Sequence, residues 1–193
     1  MKKDVKILAF YSPYAGAGKT TAAQYILDTQ PKSVWLSFAD TLREIVDVVF
    51  RKVCRKSQNV SSYKGAAAYF EKDSPQSELG GHTYRDFLLA FGAAGRRLYP
   101  NIWVDCLKAD MQDINGIENV VIDDLRFPNE YAMLRDKGAK IVRVTNPGRR
   151  FVPAEAEALL EGCKFDAEIV NNKLMGLNHY EAQIDTLLTT LWA

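Results

Sequence analysis

The chain has 193 residues, of which 47% are hydrophobic and 25% charged, a composition that suits one compact domain with a small inserted segment. A formal net charge of +1 excludes a global basic surface for nucleic acid. The 3 cysteines have no paired spacing, which argues against a disulfide framework or a zinc site. The apolar run at residues 5–10 is too short for a secretory signal or a membrane span, so we expect a cytoplasmic protein.

Five short apolar runs predict strands at residues 5–11, 34–38, 119–122, 140–145 and 167–170. Several are continuous and rich in Val and Ile, which is typical of a sheet covered on both faces. Helical patterns lie at residues 19–28, 42–54, 84–97, 102–112, 129–137, 154–161 and 179–191. Alternating strands and helices predict an α/β fold with a mainly parallel sheet. The interval before the third strand predicts a mostly helical insertion with a loop at 57–81.

A phosphate-binding loop is predicted where the first strand gives way to a helix, in Ser12-Pro13-Tyr14-Ala15-Gly16-Ala17-Gly18-Lys19-Thr20. Small residues let successive backbone N–H groups converge on phosphate oxygens at a helix N-terminus. Lys19 would reach the β- and γ-phosphates of a nucleotide, and the Thr20 hydroxyl would help to hold Mg²⁺. Pro13 stands where the usual pattern has glycine, and its fixed φ can distort the first turn. The alternative is an ordinary glycine-rich turn followed by an exposed lysine.

The third predicted strand ends in two carboxylates, Asp123 and Asp124. The carboxyl ends of parallel strands face the ligand crevice, where an acidic group can hold magnesium or its water shell. Acidic residues at the end of a strand are more often solvated loop residues than ligands. Because a lysine-bearing phosphate loop is also predicted, one of Asp123 and Asp124 is a candidate magnesium ligand.

Arginines cluster near predicted strand ends and around one helix, where they can recognise phosphate. Any one of them alone would more often be a surface residue. Arg149 and Arg150 suggest a mobile flap over the donor phosphates. The other candidates are Arg43, Arg85, Arg96, Arg97, Arg126 and Arg143.

Two long segments of the chain are distinctive, GHTYRDFLLAFGAAGRRLYPNIWV at 81–104 and VVIDDLRFPNEYAMLRDKGAKIVR at 120–143. They resemble segments of bacteriophage deoxynucleoside monophosphate kinases. The similarity extends to Phe38-Ala39-Asp40, the GKTT loop and Ile169-Val170-Asn171-Asn172. It implies a three-layer P-loop kinase fold similar to adenylate kinase: a five-stranded parallel sheet with helices on both faces. It also implies a helical acceptor-binding insertion at about 40–115 and a small lid at about 146–165.

The resemblance also implies roles for individual residues, with ATP as donor and Mg²⁺ as metal. Lys19, Arg126, Arg149 and Arg150 would be catalytic. Thr20 and Asp124, which matches better than Asp123, would serve the metal, and Asn171 would lie near the donor base. The donor would contact Tyr14, Ala15, Gly16, Ala17, Gly18, Lys19, Thr20 and Thr21. The acceptor nucleotide would contact Asp40, Arg43, Arg85, Arg96, Asp124 and Arg126, with one of Tyr84, Phe87 or Trp103 facing its base.

The expected reaction is transfer of the ATP γ-phosphoryl group to a deoxynucleoside monophosphate. The acceptor phosphate is already anionic, so no general base is needed, and His82 and His179 are expected in loops or at the surface. One rival is another small-molecule P-loop kinase of the dephospho-coenzyme A kinase type. A rival of another class is a nucleotide-dependent switch or DNA-handling ATPase. We expect nucleotide partners, no nucleic acid and no membrane, while a homodimer stays open.

Overall fold

The structure, a computed structural model, describes residues 5–54, 73–148 and 159–192. The chain divides into two compact units, one formed by Met1–Ser37 with Asp110–Ala193 and the other by Phe38–Ala109. The second unit overlaps the predicted insertion at about 40–115. None of the described helices is long and apolar enough to cross a membrane.

The first unit contains a five-stranded sheet in which every neighbouring pair of strands is parallel. Its strands are β1 (Lys6–Tyr11), β2 (Ser33–Leu36), β3 (Asn119–Leu125), β4 (Lys140–Thr145) and β5 (Ala167–Val170). They lie in the order β2-β3-β1-β4-β5. The predicted α/β fold with a five-stranded parallel sheet is therefore confirmed.

Six α-helices lie in the described part of the chain. They are α1 (Lys19–Thr29), α2 (Asp40–Cys54), α3 (Tyr84–Leu98), α4 (Ile102–Asp110), α5 (Pro128–Asp136) and α6 (Leu177–Leu191). Each begins and ends within two residues of its prediction. The predicted helix at 154–161 lies mostly outside the described residues, and its last three residues, 159–161, form a turn.

The central strands are buried on both faces, as their continuous apolar sequences predict. Leu8 and Phe10 of β1 belong to a core with Ile26 of α1 and Ile184 of α6, so these two helices cover one face. The alternate residues of β1, Ile7, Ala9 and Tyr11, are also buried. The connection from β3 to β4 through α5 runs opposite to that from β1 to β2 through α1. Since such crossovers are right-handed, α5 lies on the other face of the sheet.

This reversal of direction places a crevice at the carboxyl ends of β1 and β3. The two strands are neighbours, with Leu8 opposite Val121, yet their following loops lead away to opposite faces. Ligands of open parallel sheets bind at such a switch point. The predicted phosphate loop follows β1 and the acidic pair lies near the end of β3, so the topology brings both to one place.

A side chain of α6 forms hydrogen bonds with the outer backbone edge of β5, the last strand of the sheet. The Gln183 amide accepts a hydrogen bond from the Val170 N–H at 2.9 Å and donates one to the Val170 carbonyl at 3.0 Å. Both outward-facing backbone groups of Val170 are therefore satisfied without another strand.

In the second unit, α2 and α3 pack through a buried cluster. Phe50 of α2 contacts Tyr84 of α3 edge to face, with 5.1 Å between ring centroids. The Tyr84 hydroxyl donates to Asp47 at 2.7 Å, and both side chains are buried. Burial, more than the hydrogen bond from Tyr84, sets the direction of the Asp47 pKa, which is raised. Burial and the carboxylate likewise raise the pKa of Tyr84.

Candidate active site

The loop between β1 and α1 forms a tight turn despite the proline. Ser12 is buried, with 2% of its surface exposed. Its hydroxyl accepts a hydrogen bond from the Tyr14 N–H at 3.2 Å. Pro13 has no N–H to satisfy and its fixed φ suits such a turn. The serine therefore holds the chain where the usual pattern relies on glycine.

Two glycines give the rest of the loop its shape. Gly16 and Gly18 have φ values of +69° and +115°, which side chains other than glycine rarely adopt. Gly18 precedes the first residue of α1, and the first turn of that helix contains no acidic residue. The N–H groups of this turn have no partners within the helix, so they and the positive end of the helix dipole can face an anion.

The predicted donor residues line this loop with different exposure. Lys19 is half-buried, and Thr20 and Thr21 are exposed at the start of α1. Ala15 and Gly16 are exposed, Tyr14 and Gly18 are half-buried, and Ala17 is buried in the core beneath the loop. The structure therefore brings the predicted loop residues together around one helix N-terminus.

The loop is braced from the far end of the chain. Asn171, which follows β5, donates from Nδ2 to the Ala17 carbonyl at 2.9 Å, while its own N–H donates to Thr145 at 2.8 Å. The Tyr180 hydroxyl of α6 donates to the Gly18 carbonyl at 3.1 Å, and burial raises the pKa of this phenol. The sequence predicted Asn171 near the donor base, whereas the structure places its amide on the loop backbone. The sequence analysis did not predict that Tyr180 contacts the loop.

Asp123 lies against the phosphate loop. The Thr20 hydroxyl donates to Asp123 Oδ2 at 2.7 Å, and the Trp35 indole N–H donates to Asp123 Oδ1 at 2.9 Å. Asp124 accepts a hydrogen bond from Ser37. The sequence preferred Asp124 as the acidic residue of the metal site, whereas the structure places Asp123 on the Thr20 hydroxyl. The two carboxylates lie where the pairing of β3 with β1 shifts by one residue, between Ile122 and Leu125, so regular alternation along the strand does not decide which of them faces α1.

This pair of residues fits a magnesium ion. Because the Thr20 hydrogen points to Asp123, the lone pairs of the hydroxyl oxygen are left for a cation. Magnesium in phosphate sites takes few protein oxygens and completes its shell with water and substrate phosphates. In the described residues no group of three or more His, Cys, Asp or Glu side chains could hold a metal alone. The Thr20 hydroxyl and the Asp123 carboxylate beside the phosphate loop are oxygen groups of the kind that magnesium takes.

The segment after β3 presents Arg126 at the surface. Its side chain is exposed, while its backbone N–H donates to Glu130 Oε2 at 2.9 Å. The Phe127 N–H donates to the same oxygen at 3.0 Å. Glu130 is buried and caps α5, so it fixes the backbone from which Arg126 projects.

The arginines in and after β4 differ in what the structure describes of them. Arg143 binds both carboxylate oxygens of Glu161, at 3.0 and 2.8 Å, and is therefore charge-compensated. Arg149 and Arg150 lie outside the described residues. Asn146, at the carboxyl end of β4, is buried, and its Nδ2 has no partner in the described part of the chain. A buried amide of this kind needs a hydrogen-bond partner. Asn146 follows β4, which lies beside β1, the strand that leads to the phosphate loop.

The predicted acceptor residues of the second unit fall into two groups. Asp40 and Arg43 form a half-buried ion pair of 2.9 Å, and Arg85 pairs with Asp73 at 2.5 Å; Arg96 is half-buried in α3. Tyr84 and Trp103 are core residues with exposed fractions of 1% and 5%, so neither offers a ring face to a base. The Trp103 indole N–H donates to the Gly92 carbonyl at 3.1 Å. Of the three aromatic candidates, only Phe87 is not buried.

Sequence comparison finds a viral relative. A protein of Acanthamoeba polyphaga mimivirus, provisionally named a deoxynucleotide monophosphate kinase, is 29% identical to this chain over 174 residues. The match covers 82% of this chain and 84% of that protein. No protein-family model matches the chain. A bacteriophage origin is not confirmed by this relative and stays a prediction.

Two solved structures are similar at lower levels. The tunicamycin resistance protein of Deinococcus radiodurans has a TM-score of 0.44 and 15% identity, over 95% of each chain. A provisionally named plasmid partition protein from Borrelia burgdorferi B31, bound to AMPPNP, has a TM-score of 0.37 and 14% identity. That match covers 97% of this chain and 98% of the other.

Proposed function

We propose that the chain is a deoxynucleoside monophosphate kinase, which transfers the γ-phosphoryl group of ATP to a deoxynucleoside monophosphate and releases ADP. The observation that carries the proposal is the contact between Thr20 and Asp123, because it joins a phosphate loop to an acidic strand end at the switch point of a parallel sheet. The name of the mimivirus relative supports the same substrate class.

In the proposed reaction, an oxygen of the acceptor phosphate attacks the γ-phosphorus of ATP. The bond from that phosphorus to the β–γ bridging oxygen breaks, and ADP leaves. The attacking oxygen is already anionic, so no proton has to be removed. Mg²⁺, when bound, supplies charge neutralisation at the β- and γ-phosphates.

The residues of the first unit would act on the donor. The N–H groups of the loop and the Lys19 ammonium bind the β- and γ-phosphates, and they stabilise the charge that spreads over the transferred group. Thr20 and Asp123 serve the metal, which revises the earlier choice of Asp124. Asn171 holds the loop in shape. Arg126 contributes positive charge from the end of β3, and Arg149 and Arg150 are proposed to do so from the lid.

The residues of the second unit would bind the acceptor phosphate. Arg43, Arg85 and Arg96 are the proposed contacts, since arginine binds phosphate through two parallel hydrogen bonds. Asp40 orients Arg43 through their 2.9 Å ion pair. Tyr84 and Trp103 are no longer proposed to contact the base, because both are buried with their polar atoms bonded within the unit.

The test supplies magnesium and ATP with each deoxynucleoside monophosphate in turn, and chromatography detects the diphosphate. Lys19→Ala is expected to lose nearly all turnover while its thermal unfolding stays unchanged. Lys137→Ala is the matched control, because Lys137 is exposed at the end of α5. Phosphorylation of dephospho-coenzyme A alone, or ATP hydrolysis that needs DNA and yields no diphosphate, would contradict the proposal.

A further inference from the structure

The Trp35 side chain reaches from β2 across the sheet to the acidic end of β3. Trp35 lies opposite Val121 in the parallel pairing, and its ring packs against the core beneath α1. Its indole N–H donates to Asp123 Oδ1 at 2.9 Å. Core packing alone would not require this contact, since the nitrogen is aimed at a carboxylate that is only 8% exposed.

The two carboxylate oxygens of Asp123 therefore have different hydrogen-bond donors. An indole nitrogen can only donate a hydrogen bond, so Oδ1 is committed to Trp35. Oδ2 faces the Thr20 hydroxyl at 2.7 Å. A carboxylate held at one oxygen cannot rotate freely, and its other oxygen keeps a fixed direction toward the start of α1. Partners of this kind orient metal-binding groups, and their loss commonly weakens metal affinity by about 10- to 100-fold.

We propose that Trp35 is a positioning residue, which holds Asp123 so that Asp123 and Thr20 together receive the magnesium ion of a bound nucleotide. This inference rests on the proposed function for the presence of a magnesium nucleotide. It goes further by assigning the metal dependence to a residue of β2 that does not itself contact the nucleotide. Trp35 acts through Asp123.

The coupling between metal and nucleotide measures this role. Calorimetry gives the dissociation constant of a β–γ imido analogue of ATP, once in EDTA and once in magnesium, and the ratio of the two is the coupling. Trp35→Phe keeps most of the apolar surface and removes the N–H. The coupling of this variant is expected to fall about tenfold or more, while its metal-free affinity stays within about twofold of wild type.

The C-terminal tryptophan provides a matched control. Trp192 is buried in the same core, but its indole nitrogen has no hydrogen-bond partner among the described residues. Trp192→Phe therefore removes a similar ring edge without a hydrogen bond, and its coupling should equal that of wild type. Equal weakening of both affinities in Trp35→Phe would indicate a merely structural role and overturn the proposal, as would unchanged coupling.

A measurement on the intact side chain does not depend on whether Trp35→Phe folds. In wild-type protein labelled with ¹⁵N at the indoles, the signals of the 3 tryptophans are assigned with Trp192→Phe and Trp103→Phe. Adding magnesium to the nucleotide complex should shift the Trp35 signal and leave the other two in place. A stationary Trp35 signal overturns the inference. No acceptor is used, so a failed kinase assay would leave this result standing.

Discussion

Replacing Gly18 with alanine tests whether the phosphate loop needs the shape described above. Gly18 has φ +115°, and a Cβ atom there would lie 2.3 Å from Asn171 Nδ2. Asn171 cannot simply turn away, because its amide holds the Ala17 carbonyl and its backbone N–H holds Thr145. The variant must therefore accept a strained φ and also displace this side chain.

The two effects can be added approximately. A residue other than glycine in such a region of φ costs about 1–3 kcal/mol. Breaking the hydrogen bond from Asn171 to Ala17 costs about 1 kcal/mol more. The sum, about 2–4 kcal/mol, corresponds to about 30- to 700-fold in an equilibrium constant. Strain that persists in the free protein lowers its stability, and strain that the free loop relieves by moving lowers its nucleotide affinity.

Both quantities have to be measured, by chemical unfolding and by calorimetry with the imido analogue of ATP. The losses of unfolding free energy and of binding free energy in Gly18→Ala should together reach this sum. Gly162→Ala is the matched control, because no atom lies within 4 Å of its Cβ and its φ is not in the left-handed region. The double variant with Asn171→Ala removes the clash but keeps the strained φ and still lacks the hydrogen bond, so its loss should stay at about the same sum. A combined loss below about 1 kcal/mol in Gly18→Ala would refute the reasoning.

Three further predictions concern carboxylates. In magnesium titrations of kinase activity, Asp123→Asn should require about 10- to 100-fold more metal, and Asp124→Asn should stay close to wild type. In chemical unfolding, Tyr84→Phe should lose about 1–3 kcal/mol, because Asp47 keeps a buried oxygen without its donor. The third carboxylate is Asp166. Burial opposes the ionisation of Asp166, yet hydrogen bonds from the Ile141 N–H and the Arg135 guanidinium lower its pKa. Its stabilisation should hold above about pH 4 and disappear on acidification, and Asp166→Asn should lack this acid-dependent part.

The sheet could be predicted from the sequence because its strands are continuous apolar runs. The third strand was predicted too short, ending at Ile122, whereas β3 continues to Leu125 and pairs there with Tyr11. Two acidic residues marked the end of the apolar pattern but not of the backbone pairing. The hydrogen-bond ladder does not depend on side-chain polarity, so the pattern could not reveal this extension.

The site was predictable only in part, because the sequence does not specify which residues of different elements meet. The loop around Lys19 is a local pattern and was found. The choice between Asp123 and Asp124 depends on how the irregular end of β3 lies against α1, which no local pattern carries. Likewise, Tyr84 on α3 could have faced either solvent or α2. The partners Trp35 and Tyr180 have no spacing relation to the residues that they bind.

The brace on the phosphate loop has a consequence for how the protein comes to be made. Asn171 lies 154 positions after the carbonyl that it binds, and Tyr180 lies 162 positions after Gly18. Contacts of such long separation form late, since the intervening chain must first be ordered. During synthesis the loop emerges well before the residues that fix its shape. The braced loop therefore arises only after α6 has been made, and a chain that stops before α6 carries the phosphate-loop sequence without its brace.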